Sequence, residues 1–118
     1  MRADSLYRLT AACLVTHELE SIVRITANPY PFNGLFHVQH SILVWGHIPI
    51  LLGLLFAAES TMRAPIRYGV CVFAVIHVGL HWMYRDQPLY DLGTLASWVL
   101  ILLAGIFGAA YLVPAKAR

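Results

Sequence analysis

The sequence predicts an all-α protein: a four-helix transmembrane bundle that runs up-down-up-down as a single domain. Of the 118 residues, 59% are hydrophobic and only 12% are charged, against about 25% charged residues in soluble domains. The apolar residues also fall into four segments. Each is close to the roughly 20 residues with which an α-helix crosses a hydrocarbon core about 30 Å thick. Short loops between consecutive segments favour antiparallel neighbours.

The first segment covers residues 6–27 and ends at "NPYP", where the prolines stop a helix. It contains "VTHELES", with His17, Glu18 and Glu20 in the middle of the span. A signal peptide is not expected, because these residues interrupt the apolar region and no clear small-residue cleavage site follows.

The other three segments cover residues 35–58, 66–84 and 89–113. A proline marks the end of each segment: the second and third are followed by "ESTMRAP" and "RDQP", and the fourth is followed by Pro114. The second and fourth segments are the most apolar, whereas the first and third carry polar residues that lower their hydropathy.

Basic residues predict the orientation. Four spans place the N-terminus, the second loop and the C-terminus on one side of the membrane. That side carries six of the eight basic residues, and the other side carries Arg24 and Arg85. Because positive charge is enriched in cytoplasmic loops, both termini are expected in the cytoplasm. The six are Arg2, Arg8, Arg63, Arg67, Lys116 and Arg118.

Three histidines on different segments are predicted to lie at one depth. His17, His47 and His77 are each 11 residues from the cytoplasmic end of their segment, or about 16 Å at the helical rise. Glu20 and His81 lie about one turn further out. Glu20 is three residues after His17 and His81 is four after His77, so each pair shares a helix face.

Imidazoles and carboxylates brought together inside a helical bundle are typical of a metal site. We therefore predict a divalent ion, zinc or iron, bound by His17, Glu20, His47, His77 and His81. Glu20 is either one of these ligands or the base that activates bound water. The ion would offset the cost of a buried carboxylate. Glu18 lies about 100° around the helix from His17 and is the weaker ligand. Glu18 is predicted instead as a general base, as a hydrogen-bond partner of a metal ligand or as a buried ion-pair partner of Arg24 or Arg85.

Two alternatives to the metal site stay open. A polar network that only packs the bundle would also use such residues, and two of the histidines could be axial ligands of a b-type haem. His37 and His40 lie in or just after the outer loop, where a solvated histidine needs no further role. On the fourth segment Asp91 is expected at the interface, with Thr94, Ser97 and Trp98 below it.

Other features exclude several classes of protein. The net charge of +2 and the absence of a basic face argue against nucleic-acid binding. Cys13 and Cys71 lie within apolar segments. They form neither a disulfide framework nor a Cys-x-x-Cys motif, so we expect them to be apolar filler.

The stretches "LVTHELESI", "GHIPI", "HVGLHWMYRDQPLYD" and "LASWVLIL" resemble those of a family of small four-helix bacterial membrane proteins of unknown function. The resemblance covers nearly the whole chain. It implies a bacterial cytoplasmic membrane protein. It also marks seven positions as the candidate functional residues: His17, Glu18, Glu20, His47, His77, His81 and Trp98. Members often carry a second His-Glu-Trp stretch after the first motif. This chain has "RITANPY" there, which argues against ligands from the first loop.

The resulting expectation is a membrane-embedded metal-dependent enzyme, an oxidoreductase or hydrolase acting on a lipid-like substrate. An accessory subunit of a larger membrane complex is the main alternative, since the 13.2 kDa chain has little mass outside the membrane. A metal or proton transporter would require oligomerisation, because four spans leave little room for alternating access.

Overall fold

A computed structural model describes residues 2–27, 63–86 and 94–113, together with five separate positions: Trp45, Ile48, Pro49, Leu52 and Leu54. These residues form three helices and, within the described part, no β-strand. α1 spans Ala3–Ala27, α2 spans Arg63–Tyr84 and α3 spans Leu95–Leu112. The all-α prediction is therefore confirmed for these residues. The second predicted segment, 35–58, lies outside the described residues apart from the five positions.

Local sequence explains where the helices begin and end. The described part of α1 ends at Ala27, and the sequence predicts a helix end there because the next residue precedes Pro29 and is disfavoured in the α conformation. α2 contains Pro65 in its first turn, where the missing N–H removes no helical hydrogen bond. α3 begins six residues after the predicted start of the fourth segment. It does so because the side chain of Thr94 caps the helix by accepting a hydrogen bond from the Ser97 N–H at 3.2 Å.

α3 packs along both other helices, whereas α1 and α2 touch each other in fewer places. At one end, Arg67 of α2 pairs with Asp4 of α1 at 2.6 Å and lies 4.9 Å from the centre of the Tyr7 ring. The ring of Tyr7 also contacts that of Tyr111, near the end of α3, with centroids 6.3 Å apart. These contacts show that α1 and α2 run in the same direction and that α3 runs the opposite way.

Small residues let α2 and α3 approach closely, as in many membrane helix pairs. A Cβ built at Gly108 would lie 2.9 Å from the carbonyl oxygen of Cys71, and one at Gly105 would lie 2.5 Å from Cγ2 of Val78. The backbone oxygen cannot move aside as a side-chain methyl can, so Gly108 sets the distance between these helices.

Gly108→Ala should therefore destabilise the fold by about 1–3 kcal/mol, the usual cost of overpacking. The measurement is unfolding by heat or denaturant in one detergent. Gly79→Ala is the matched control, because nothing lies within 4 Å of a Cβ at that position and alanine favours a helix by up to about 1 kcal/mol over glycine. If both variants unfold alike, the close approach of α2 and α3 does not restrict the size of the residue at position 108.

Two of the described helices are long and apolar enough to cross a membrane: Ala64–Tyr84 and Leu95–Leu112. Core helices of soluble proteins pass the same test, but they are mostly buried, and these two have few buried residues. Large apolar side chains on both are exposed, for example Ile76 at 55% and Ile106 at 60%. Exposed apolar faces of this extent are typical of contact with lipid or with another protein.

Candidate metal centre

Three of the predicted ligands come together between α1 and α2. Nε2 of His81 lies 3.2 Å from Nε2 of His17 and 3.0 Å from Nε2 of His77. One ligand atom from each residue lies within 4.8 Å of the others, close enough for the three histidines to bind a single metal ion. His47, the predicted ligand of the second segment, lies outside the described residues.

Both separations from Nε2 of His81 match that of two ligands around one ion. With metal–nitrogen bonds of about 2.0–2.1 Å, two nitrogens of a tetrahedral site lie about 3.3 Å apart. The three rings also meet edge to face, with interplanar angles of 65° to 78° and centroids 4.4 Å to 5.3 Å apart. The rings therefore converge through their nitrogens and do not stack.

The cluster is shielded from solvent. His17 is 1% exposed and His81 is 5% exposed, while the side chain of His77 is 14% exposed. His81 follows His77 by one helical turn, which places both rings on the face of α2 that meets His17.

Each imidazole nitrogen can make only one hydrogen bond in the plane of its ring, which limits the hydrogen bonds that are possible among these three Nε2 atoms. Each ring nitrogen either donates one proton or accepts through one in-plane lone pair. Nε2 of His81 contacts Nε2 of both other rings, so it cannot donate to one and accept from the other. Two arrangements satisfy every Nε2 atom: His81 donates to His77 while the Ser21 hydroxyl, 3.4 Å from Nε2 of His17, donates to that atom, or one cation takes all three lone pairs.

Glu20 lies beside the other nitrogen of His17. Its Oε2 atom is 3.9 Å from Nδ1 of His17, beyond hydrogen-bond length, and Nδ1 has no hydrogen-bond partner among the described residues. A carboxylate at this position favours the tautomer that carries its proton on Nδ1. Nε2 of His17 then presents its lone pair to the cluster.

α3 anchors the carboxylate of Glu20. The hydroxyl of Ser97, which is fully buried, donates to Oε1 of Glu20 at 2.8 Å. Because Ser97 gives its proton to Glu20, Thr94 is the donor in the 2.9 Å contact between the two hydroxyls. A hydrogen-bonded chain therefore connects the start of α3 to the carboxylate behind His17.

Glu18 lies on the α2 side of α1. It is only 6% exposed, and its Oε1 atom is 3.7 Å from Nε2 of His77. Glu18 therefore lies next to the converging nitrogens, whereas Glu20 lies at the back of His17. Both predicted acidic residues are thus near the histidines, each on a different side.

A family model described as a family of unknown function (DUF6713) matches residues 3–117. The chain belongs to this family. The predicted resemblance to a family of unknown function is confirmed in that respect, and the match leaves the reaction open. No curated protein and no solved structure matches the chain. What this DUF6713 member does must therefore be argued from the geometry of its site.

Several contacts of the site were not predicted from the sequence, among them the 3.4 Å contact between Oγ of Ser21 and Nε2 of His17. Ser97 stands in the apolar run "LASWVLIL", where a lone serine commonly bonds to its own helix backbone, so nothing there indicates Glu20 as its partner. The ring of Phe73 lies 5.1 Å from that of His77, centroid to centroid. Its spacing of four residues from His77 is a signal that could have predicted the contact.

Aromatic residues lie beyond the histidines, toward the end of α2. Trp82 and Trp98 meet edge to face with centroids 6.1 Å apart, and the guanidinium of Arg85 lies 4.0 Å above the ring of Trp82. Trp98, a position marked by the resemblance, therefore joins α3 to the end of α2 and directly follows Ser97, the partner of Glu20. Asp91 lies outside the described residues.

Proposed function

We propose that this DUF6713 protein is an integral membrane enzyme that uses one divalent zinc or iron ion held by His17, His77 and His81. The observation that carries the proposal is the convergence of three Nε2 atoms from two helices, with Nε2 of the buried His81 at 3.2 Å from that of the buried His17 and 3.0 Å from that of the partly buried His77. Imidazole is a preferred ligand of both metals. His47 is proposed as a further ligand from the second segment.

These separations favour a single ion over haem. Two axial imidazoles lie on opposite sides of a haem iron, which puts their nitrogens about 4 Å apart for bonds of about 2.0 Å. The macrocycle must also pass between the two rings. The shorter separations and the edge contacts between all three rings fit ligands on one side of an ion.

The two glutamates are assigned different roles. Glu18, 3.7 Å from Nε2 of His77, is proposed as the general base on the side of the cluster where substrate and water would enter. Glu20 was predicted as a ligand, and its distances favour a positioning role, in which its charge orients the His17 imidazole. A bound divalent ion would act as a Lewis acid and lower the pKa of coordinated water.

We infer that the chain is a four-helix bundle in a bacterial cytoplasmic membrane with both termini in the cytoplasm. In an up-down-up-down chain the first and third helices are parallel and the fourth is antiparallel to both, which is the arrangement of α1, α2 and α3. The excess of basic residues on one side sets the orientation. A reporter enzyme fused after Arg118 should be active in the cytoplasm, and periplasmic activity would overturn this orientation.

Elemental analysis and an absorption spectrum of the purified protein test the proposal. About one equivalent of zinc or iron is expected per chain, without a Soret band. Zinc would favour a hydrolase and iron an oxidoreductase. Iron with a Soret band would replace the proposal by b-type haem and electron transfer. A metal-free chain that co-purifies with larger subunits would indicate an accessory subunit.

A further inference from the structure

A partly open cavity of about 490 Å³ lies between α1, α2 and the second segment. This volume falls within the roughly 300–1,000 Å³ typical of small-molecule sites. On α2 it is lined by Ile66, Gly69, Val70 and Phe73, where Gly69 and Val70 are three and four residues after Ile66 and Phe73 is seven residues after it. These spacings place them on one helix face, so the cavity extends along α2 for about 10 Å.

The lining of the cavity selects for an apolar occupant. Its other described residues are Leu14 of α1 and two residues of the second segment, Pro49 and Leu54. All seven residues that line the cavity are of apolar types. A polar or charged group placed here would lose its hydration without gaining hydrogen bonds from these side chains, whereas an alkyl chain would lose nothing.

Two residues that line the cavity neighbour the candidate metal centre. Phe73 lines the cavity, and its ring contacts the ring of His77 with centroids 5.1 Å apart. Leu14 lines it from α1, three residues before His17 and on the same face. A molecule that fills the cavity and extends past Phe73 would therefore reach the three histidines.

We propose that the alkyl chain of the substrate occupies this cavity, with the reacting polar group at the His17, His77 and His81 cluster and with the absence of a side chain at Gly69 leaving room for the chain. The inference rests on the proposed metal centre and adds the substrate class: a molecule with a metal-binding polar head and an unbranched chain. An extent of about 10 Å along α2 suits a chain of roughly eight carbons.

Gly69 offers a way to shorten the cavity without disturbing the helix. A Cβ added at this position meets nothing within 4 Å, so a larger side chain would enter the empty space and contact neither backbone nor side chain at its base. Gly79, on the same helix, is equally open at its Cβ position and does not line the cavity. The two glycines therefore make a matched pair.

The experiment measures binding of acetohydroxamate and octanohydroxamate to the metal-loaded protein in one detergent. The hydroxamate binds the metal, and only the longer probe has a chain for the cavity. The ratio of the two dissociation constants is compared between wild type and Gly69→Leu. Each buried methylene contributes about fourfold in affinity, so exclusion of two or more should reduce the preference for octanohydroxamate by at least about tenfold. Gly79→Leu should keep the ratio of wild type.

The outcomes separate the cavity from the metal centre. Unchanged acetohydroxamate binding in Gly69→Leu shows that the variant is folded, and Gly69→Ala, with a smaller intrusion, should give an intermediate ratio. If both probes bind but the ratio is the same in all variants, the inference about the cavity is wrong and the metal centre stands. If neither probe binds metal-loaded wild type, the proposed metal centre fails, and the inference fails with it.

Discussion

Replacing His81 by alanine should weaken metal binding by at least about 100-fold. His81 has the central nitrogen of the cluster, since its Nε2 atom contacts Nε2 of His17 at 3.2 Å and of His77 at 3.0 Å. Its removal leaves the imidazoles of His17 and His77 on separate helices without the nitrogen that lies between them. Even residues that only hydrogen-bond to a ligand cost about 10–100-fold when they are lost, so loss of a direct ligand should cost at least as much.

The measurement is metal content after dialysis, together with a zinc or iron titration in competition with a chelator. His37→Ala is the control, because the sequence predicts that this histidine lies in the outer loop. Circular dichroism of both metal-free variants should match wild type, which separates loss of metal from loss of fold. Equal metal content in His81→Ala and wild type would contradict the assignment of this cluster as the ligand set.

Glu20→Gln should weaken metal binding by about 10–100-fold, the usual effect of losing a residue that orients a ligand. The change preserves size and removes the negative charge that lies 3.9 Å from Nδ1 of His17. It also replaces the charged acceptor of the Ser97 hydroxyl. Without that charge the proton of His17 is no longer favoured on Nδ1, and the fraction of rings that present an Nε2 lone pair falls.

The sign of the change in stability distinguishes a metal site from a packing network. In a protein that only packs its helices, removing a partly buried carboxylate should be neutral or stabilising, because the charge is costly without a cation. Thermal unfolding and metal content are therefore measured together. If Glu20→Gln unfolds at a higher temperature than wild type and wild type holds no metal, the metal site is refuted.

Two further variants serve as comparisons for Glu20→Gln. Asp86→Asn removes a carboxylate that is 80% exposed and paired with Arg85, so metal binding should not change. Glu18→Gln should retain the metal and reduce activity, as expected for a base beside the ion. If Glu18→Gln loses more metal than Glu20→Gln, the assignment of the two roles is wrong and Glu18 is a ligand.

The depth of the histidines was predictable because an α-helix converts sequence separation into height. His17 and His77 were placed at the same level by counting residues from the predicted segment ends. The structure brings their rings to a centroid separation of 5.3 Å. The spacing of four residues from His77 to His81 likewise predicted a shared face, and their Nε2 atoms lie 3.0 Å apart. Both predictions depend only on the geometry of single helices.

The partners of the two glutamates were not predictable in this way. Helical geometry places Glu18 and Glu20 about 200° apart around α1, but it does not say which neighbour each side faces. That depends on how α1 is rotated against α2 and α3. The structure places Glu18 beside His77 and Glu20 beside Ser97, and in each case the partner comes from a different helix, far along the chain.

The sequence by itself determined that the described chain is helical, where its helices end, and which polar residues share a face or a depth. These properties follow from periodicity, proline positions and helical rise, all of which act over a few residues. Only the tertiary structure decided that three Nε2 atoms converge, that Ser97 holds Glu20, and that a cavity opens between Leu14 and Gly69. Each of these depends on helix rotation and close packing between residues distant in sequence, and the shape of a void is set by all of its walls at once.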